Sequence, residues 1–334
     1  MLRAVLILVP LLCAPLPIAH AAPLQRFESV RPLMGTVAKV IVYADTPTAA
    51  KQAIDAAFVE MNRQIAILSD YESTSEVSRL GQASPGTTPI GPELWDVLSY
   101  SEKISHATDG AFDVTVGPLT KAWRRMRRRR QIDRQAIADL LPTVGYAKLK
   151  LDPASHTAEL TIPHMRLDLG GVAKGYIIDA GLQTLRNHGL KQALVDAGGD
   201  MAIGAAPPQS AGWKISVAQS KKPGAEAMIV ELANCGVATS GDAYQFVEIN
   251  GARYSHILDP RTGYGVTTSR TVTVFAPTAM QADAWASAIS VLGPKQGFAA
   301  LAKHPDHAAA VTTLEQDKLV VEKSANLDAW LAAH

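Results

Sequence analysis

The sequence has few cysteines, almost no net charge and few long apolar segments. Cys13 and Cys235 are the only cysteines in 334 residues, and Cys13 lies in an N-terminal stretch with the features of a secretory signal. Removal of that stretch leaves Cys235 alone, which excludes an internal disulfide in the mature chain. There are 32 basic and 31 acidic residues, so no overall field draws the chain toward nucleic acid. After the N-terminal stretch, no apolar segment is long enough to cross a bilayer.

Several motifs of well-known chemistry are absent as well. The sequence contains no H-E-x-x-H, no C-x-x-C, no G-x-S-x-G and no zinc-ligand spacing. Their absence removes several classes of hydrolase and redox protein. What is present is a chain with 47% hydrophobic and 19% charged residues, typical of a globular enzyme with one large or two moderate cores.

Residues 1–21 predict a secretory signal. An arginine near the start is followed by an apolar stretch and then by small residues, which favours cleavage after Ala21. Three prolines interrupt the apolar stretch, which argues against a permanent membrane span. A lipid anchor at Cys13 is not expected, because Leu12 stands where such a signal has a small residue. We therefore expect a periplasmic protein with a single domain over 22–334. Cleavage removes one of the 32 basic residues, leaving 31 against 31 acidic ones.

The rest of the chain alternates predicted strands and helices with hairpin-length connections. This arrangement favours an α+β fold over a doubly wound parallel sheet. Apolar residues at helical spacing predict helices over 49–69, 92–107, 173–188 and 279–292. Alternating or β-branched runs predict strands over 35–43, 148–152, 157–162, 192–205, 214–219, 228–232, 236–240, 245–251 and 270–276. The interval 69–91 is predicted to be an exposed turn region.

A strongly basic run, KAWRRMRRRRQIDR, covers 121–134 and carries eight basic residues. One interpretation is a patch for anionic lipid or an acidic partner, and the other is the solvated face of a helical insertion. The usual fate of charge runs favours the solvated face. Trp123 is the only aromatic residue in the run, which argues against nucleic-acid binding.

The stretch LDLGGVAKGYIIDAG, 167–181, places Asp168, paired glycines, Lys174 and another glycine ahead of an apolar helix. Glycines let backbone N–H groups approach an anion, and a helix N-terminus favours negative charge. The G-G-x-x-x-G spacing, however, matches neither the P-loop nor the dinucleotide fingerprint. Taken alone, the stretch predicts only a turn that starts a helix.

A possible metal site lies at the start of the last predicted helix. Asp283 and Ser287 are four residues apart, so on a helix they share one face with Cβ atoms about 5–6 Å apart. A carboxylate and a hydroxyl suit Mg²⁺, which takes water and phosphate oxygens as its other ligands. Alternatively, Asp283 stabilises the first helical turn and Ser287 is a small packing residue.

A possible general base lies in ARYSHILDPRTGYGV, 252–266. His256 precedes a turn over 259–263 that is set by a proline and a glycine. Imidazole transfers protons near neutral pH, so His256 is a candidate base; it could equally hold the turn through hydrogen bonds. Three further turns carry acidic or hydroxyl side chains that could line a cleft: GAFDV (110–114), DAGGD (196–200) and TSGD (239–242).

Taken in order, these motifs resemble the FAD:protein FMN transferases, also called ApbE-like flavin transferases. The resemblance covers nearly the whole mature chain and implies the fold of that family, with mixed or antiparallel sheets packed against helices. The matching segments are PLMGT (32–36), LSDYESTSEVSRL (68–80), GAFDVTVGPL (110–119), DLGGVAKGY (168–176), DAGGD (196–200), GVATSGD (236–242), SHILDPRTG (255–263) and ADAWASAISVLG (282–293).

The resemblance implies a magnesium-dependent enzyme that moves the FMN half of FAD onto a serine or threonine of an acceptor protein and releases AMP. The expected acceptor is a membrane-associated redox protein. His256 would serve the transfer step, and Mg²⁺ would be held by Asp283, Ser287 and the backbone carbonyl of Gly171. The residues expected to contact FAD are Met34, Tyr71, Ala111, Phe112, Asp113, Asp168, Lys174 and Ile257. Family members usually have threonine in place of Ser287, which keeps the hydroxyl but adds a methyl that stiffens χ1.

Two other functions fit the same residues. If water replaces the acceptor hydroxyl, the protein is a periplasmic FAD pyrophosphatase that yields FMN and AMP. If no reaction occurs, it is a flavin-binding protein. The Asp283 and Ser287 pair argues against simple binding, because binding does not require a metal.

Overall fold

The computed structural model describes residues 23–218, 227–241, 246–249, 251–315 and 318–334. The predicted signal over 1–21, Asp242 and parts of the predicted strands 214–219 and 245–251 lie outside the described residues. In the part of the chain that is described, no helix is both long and apolar enough to cross a membrane. Cys235 is a buried free thiol, as expected from the cysteine count.

The described residues form strands and helices along the chain. In chain order they are β1 (Gln25–Leu33), β2 (Thr36–Ala44), α1 (Pro47–Leu68), α2 (Glu76–Gln82), β3 (Gly86–Pro89), α3 (Pro92–Ala107), α4 (Gly117–Arg129), α5 (Arg134–Leu140), β4 (Leu149–Asp152), β5 (Thr157–Leu160), α6 (Ala173–Asn187), β6 (Ala193–Ala197), β7 (Asp200–Ile203), β8 (Trp213–Ala218), β9 (Ala227–Leu232), β10 (Cys235–Gly241), β11 (Phe246–Ile249), β12 (Ala252–Ser255), β13 (Arg270–Ala276), α7 (Ala279–Leu301), β14 (Ala308–Glu315), β15 (Lys318–Lys323) and α8 (Leu327–Ala333).

An eight-stranded sheet in the order β1-β2-β6-β7-β10-β13-β14-β15 organises the molecule, and each neighbouring pair is antiparallel. The strands β3, β5 and β4 form a smaller sheet, and β8–β9 and β11–β12 are hairpins. This architecture confirms the α+β class with antiparallel sheets packed against helices.

Both faces of the large sheet are covered. Because side chains alternate along a strand, Val40 of β2 packs into the core with α1, α6 and α7, whereas its neighbour Ile41 packs on the opposite face. That opposite face lies under the β8–β9 hairpin and α8, which supply Trp213 and Trp330. A third apolar cluster joins α4 and α5 to the turn after β12 through residues such as Trp123.

The helix predicted over 279–292 agrees with the first part of α7. The element continues to Leu301 beyond a kink at Gly293, whose φ of 75° is not helical and which Pro294 follows. Two other predicted elements are wrong in detail. The strand predicted over 192–205 is the β6–β7 hairpin, because Gly198 and Gly199 have φ of 63° and 97° and form a two-residue turn that the apolar pattern on both sides conceals. The predicted turn region 69–91 also contains α2 and β3.

Candidate active site

The N-terminal turns of α6 and α7 are in direct backbone contact. A Cβ atom on Gly175 would lie 2.2 Å from the carbonyl oxygen of Ala279, so only glycine permits this approach. At that distance the Gly175 N–H donates to Oδ2 of Asp283 over 3.1 Å. The last glycine of G-G-x-x-x-G therefore serves helix packing, and it brings the glycine loop to the predicted metal ligand.

Asp179 fixes the start of α7. Its carboxylate accepts from the backbone N–H groups of Ala279 and Met280, over 3.0 and 2.9 Å, and Thr278 caps the same helix. Burial raises the pKa of Asp179 to about 6, although both N–H bonds oppose the rise. Asp179 is not among the predicted site residues; its only signal in the sequence is an acidic residue inside the apolar run YIIDAGL.

Residues from three separate motifs meet beside α7. A Cβ atom on Gly171 would lie 2.8 Å from the hydroxyl oxygen of Ser287 and 3.3 Å from the ring of Phe112. Asp283 lies one helical turn before Ser287 on the same helix. The structure therefore brings together both predicted metal-ligand side chains, the glycine loop and one predicted FAD contact.

Two carboxylates flank one ammonium at this point. Nζ of Lys174 lies 2.7 Å from Oδ2 of Asp200, which is buried at the start of β7. Burial raises the pKa of Asp283 to about 7, and the charge of Asp200 adds to the rise while Lys174 opposes it. Burial alone would lower the pKa of Lys174, but Asp200 and Asp283 hold it above the ordinary value. The site therefore has an excess of negative charge that a bound cation would neutralise.

The donor set fits Mg²⁺. Asp283 and Ser287 offer a carboxylate and a hydroxyl, and the backbone of Gly171 lies against Ser287. Within the described residues, no group of three His, Cys, Asp or Glu side chains could hold a metal. A site with one carboxylate, completed by hydroxyl, carbonyl, water and phosphate oxygens, is typical of Mg²⁺ rather than of zinc.

Arg124 connects two predicted FAD contacts. Its guanidinium donates to Asp70 over 2.9 Å and to Asp168 over 3.0 Å. Its Cζ atom lies 4.3 Å from the ring centroid of Tyr71, whose side chain is otherwise exposed. Asp168 also accepts from the N–H of Gly170 over 2.9 Å, which shapes the start of the glycine loop. One arginine of the basic run thus belongs to the site, contrary to the purely solvated face that charge runs usually form.

Asp113 supports its loop from within. Its carboxylate accepts from the backbone N–H and the hydroxyl of Thr115, over 2.8 and 2.7 Å, and from the N–H of Tyr146 over 2.7 Å. Burial raises the pKa of this carboxyl group. The adjacent Ala111 and Phe112 are also buried, so the structure presents this predicted FAD segment as a rigid wall.

His256 and Ile257 follow β12 at the edge of α4. The indole N–H of Trp123 donates to the carbonyl of Ser255 over 3.2 Å. The N–H of Ile257 donates to the Ser255 hydroxyl, and its carbonyl accepts from the N–H of Val266. These bonds fix the backbone around His256, which is half-buried.

The turn predicted after His256 is present. The N–H of Gly263 donates to the carbonyl of Asp259 over 2.8 Å, and Gly263 has φ of 76°. The Asp259 carboxylate is held by Arg261 through two bonds of 2.9 and 2.8 Å. The turn is therefore stabilised within itself.

Met34 lies in the two-residue turn between β1 and β2. Both Met34 and Gly35 have positive φ, 50° and 69°, which is costly for methionine. Ala38 pairs with Ala197, so this turn lies at the end of the sheet where β6 turns into β7. Asp200 is the first residue of β7. A strained residue at that position is compatible with the predicted FAD contact.

Comparisons with known proteins agree with the resemblance found in the sequence motifs. A model of the ApbE family matches residues 34–312. The FAD:protein FMN transferase of Treponema pallidum is 31% identical over 317 residues, covering 90% of this chain and 88% of the relative. That of Haemophilus influenzae is 30% identical over 269 residues, covering 78% and 77%. The crystal structure of apo flavinyl transferase ApbE from Pseudomonas stutzeri has a TM-score of 0.82 at 26% identity, covering 93% of this chain and 98% of that one.

These relatives place the protein among the transferases. Within that class, the chain belongs to the ApbE family. The resemblance drawn from the sequence motifs is confirmed.

Proposed function

We propose that this protein transfers the FMN half of FAD to a serine or threonine hydroxyl of an acceptor protein, with Mg²⁺ and with release of AMP. The observation that carries the proposal is the meeting of Gly171, Asp283 and Ser287 at the contact between the glycine loop and α7. FAD:protein FMN transferase is also the name of the relatives that match most of the chain.

In this proposal Asp283, Ser287 and the carbonyl of Gly171 hold the cation. Bound Mg²⁺ supplies charge neutralisation at the diphosphate of FAD and at the departing AMP oxygen. Lys174 adds a second positive charge beside the cation site, and its pairing with Asp200 keeps the ammonium in place. In this arrangement Asp283 holds the cation and Asp200 holds the ammonium of Lys174, so both positive charges lie beside the proposed position of the diphosphate.

His256 is proposed to take the proton of the incoming hydroxyl. The hydroxyl oxygen forms a bond to the FMN phosphorus, the bond from that phosphorus to the AMP oxygen breaks, and the proton moves to the imidazole. The bonds that fix Ser255 and Ile257 on either side of His256 hold the imidazole's backbone in position for that transfer.

The proposed FAD contacts surround this centre. Tyr71 has one ring face on the Arg124 guanidinium, which leaves the other for stacking of the flavin ring. Phe112 borders the glycine loop, and Asp168 shapes its start. The complete proposed set is Met34, Tyr71, Ala111, Phe112, Asp113, Asp168, Lys174 and Ile257. Export of the chain to the periplasm stays part of the proposal.

The test is an acceptor-labelling assay. The protein is incubated with FAD, Mg²⁺ and a candidate flavin-carrying redox protein, alongside the same acceptor with its target threonine changed to valine. We expect a fluorescent acceptor band and the release of one AMP for each label attached. Neither product should form in the presence of EDTA or with the valine acceptor. Free FMN and AMP without labelling would indicate a pyrophosphatase. Intact bound FAD with every acceptor tried would indicate a flavin-binding protein.

A further inference from the structure

An open basic cleft of about 860 Å³ lies between the C-terminal end of α4 and β11. The side chains that line it include Arg124, Arg127, Arg128, Arg130, Phe246 and Glu248. The cleft is therefore positively charged, with one acidic side chain among those lining it and an aromatic ring on the opposite wall.

Three of its arginines form no ion pair within the described part of the chain. Arg124 is engaged by Asp70 and Asp168, whereas Arg127, Arg128 and Arg130 form no ion pair with any described residue. Arg127 is partly buried, and that burial lowers the pKa of its guanidinium. A partly desolvated guanidinium without a partner gains from an incoming carboxylate, because a charge-assisted bidentate pair is stronger than a neutral hydrogen bond.

The cleft borders the hairpin that leads to the proposed reaction site, because Phe246 of its lining pairs with Ser255. Trp123 precedes Arg124 on α4 and donates to Ser255, the residue before His256. On the far wall, the guanidinium of Arg253 lies 4.3 Å from the ring centroid of Phe246, in the hairpin that leads to His256. A peptide segment in the cleft would therefore run along α4 with one end at the histidine.

The basic run is divided between two faces of the helix. Arg124, Arg127 and Arg128 are spaced so that they share one face, and that face lines the cleft. Arg125 and Arg129 lie outside the lining set, although Arg128 and Arg130 within it are exposed as well. A membrane plane would contact the arginines of the outer face, whereas a set that lines a cleft beside an aromatic ring suits an extended segment of a protein.

We propose that this cleft docks an acidic segment of the acceptor protein, adjacent to the hydroxyl that receives FMN. The inference rests on the proposed function and names the chemistry of its partner. Carboxylates of the segment pair with Arg127, Arg128 and Arg130, and an apolar side chain packs on Phe246. Docking there fixes the acceptor hydroxyl near His256.

The test uses two variants that remove equal charge from the same helix. Arg127→Gln/Arg128→Gln neutralises the cleft face, and Arg125→Gln/Arg129→Gln neutralises the outer face. The probes are two fluorescein-labelled peptides with a central threonine, one flanked by glutamates and the other by glutamines. Anisotropy gives the Kd of each peptide, and FAD affinity is measured in parallel.

We expect the wild type and the outer-face variant to bind the glutamate peptide about tenfold more tightly than the glutamine peptide. A factor of about ten corresponds to one favourable charge pair, which both of these proteins keep. The cleft-face variant loses that preference and keeps its FAD affinity. In labelling assays its KM for the acceptor rises while kcat is unchanged. Retention of the preference by the cleft-face variant, or equal loss in both variants, would overturn the proposal.

Vesicles separate the membrane alternative. If the cleft-face variant loses binding to phosphatidylglycerol vesicles but keeps its peptide preference, the cleft is a lipid surface and the proposal is overturned. Peptide binding does not depend on turnover, so the two proposals fail separately. Absence of FMN transfer by the wild type overturns the proposed function, while the peptide preference still decides what the cleft binds.

Discussion

Three of the predicted FAD contacts are held by charged partners that were not among the predicted site residues. Asp200 holds Lys174 through an ion pair. Arg124 holds Asp168 through an ion pair and Tyr71 through a cation–π contact. Each partner lies outside the motif of the residue that it holds, so these three contacts are not positioned by their own motifs alone. The chemistry of the site therefore extends beyond the residues that the resemblance implies.

The role of His256 is tested by His256→Ala. We expect the rate of transfer to fall about a hundredfold or more, because a positioned general base contributes that much. FAD affinity should stay within about twofold, since bonds of Ser255 and Ile257 fix the backbone on either side of His256. The measurements are stopped-flow or gel-based labelling and flavin fluorescence, with His188→Ala as the control. Loss of FAD binding together with loss of stability would instead make His256 a structural residue of the turn.

A second histidine predicts a pH dependence of stability. His307 is 4% exposed, its Nδ1 lies 2.7 Å from Asp306, and burial lowers the pKa of the imidazole below 6.5. The unfolded chain then binds more protons, so this group's contribution is complete above pH 6.5 and is lost as the pH falls toward the folded-state pKa. The slope is at most about 1.4 kcal/mol per pH unit.

The comparison is urea unfolding of the wild type and His307→Asn between pH 7.5 and pH 5. We expect the variant to be less stable at pH 7.5, where it lacks the ring contact with Trp285, but to lose less stability on acidification. Parallel stability curves for the two proteins across this range would contradict the assignment.

At the scale of elements, the contact between α6 and α7 positions the glycine loop against Asp283. Gly175→Ala should destabilise the protein by about 1–3 kcal/mol, because the new methyl meets the backbone of Ala279 at 2.2 Å and forces the helices apart. Gly181→Ala on the same helix is the control, since its methyl meets the flexible side chain of Met61. Urea unfolding measures both. Equal free energies of unfolding for the two variants would contradict the close-packing account.

The glycine loop gives a separate prediction. Gly171→Ala places a methyl 2.8 Å from the Ser287 hydroxyl and 3.3 Å from Phe112, inside the proposed cation site. We expect transfer to fall by at least about tenfold while thermal stability changes little, because the clash involves side-chain atoms at a loop. Labelling rates and melting temperatures separate the two effects, with Gly81→Ala as the control, because a methyl there meets its nearest atoms at an ordinary 3.6 Å or more. Full activity in Gly171→Ala would exclude Gly171 from the site.

Elements with strong local signals could be predicted from the sequence. The helix predicted over 92–107 has the bounds Pro92–Ala107, and the turn at Gly263 follows from its proline and glycine. The Gly198–Gly199 turn was missed because apolar residues on both sides read as one strand. Elements whose short length gave no clear period, such as α2, were missed as well.

Contacts within the site were predictable from the sequence only where both residues belong to the same motif. Asp283 and Ser287 could be paired by helical spacing, but their approach to Gly171 depends on helix packing. Asp200 looked like part of an acidic turn, and Arg124 looked like one of many surface arginines. Both acquire their roles through partners far away in the chain, and a single sequence contains no local signal for such pairs.

At the scale of the whole molecule, the fold brings distant segments to one end of the central sheet. The bond from Gly175 to Asp283 joins residues 108 positions apart, and the pair formed by Arg124 and Asp168 adds α4 to the same region. The helical layer on one face of the sheet therefore supplies the proposed cation site, while α4 and the β11–β12 hairpin supply the side on which we propose that the acceptor docks.

The most direct test of the central claim is the Mg²⁺ dependence of AMP release during acceptor labelling, measured for the metal-stripped wild type and for Asp283→Asn. Asparagine keeps an oxygen for the Gly175 N–H but removes the ligand charge. We predict saturable activation of the wild type and a rate about 10³-fold lower in the variant, because metal-stabilised charge contributes several kcal/mol. Labelling that proceeds in the stripped wild type without added metal, or an unchanged Mg²⁺ dependence in Asp283→Asn, would contradict the account.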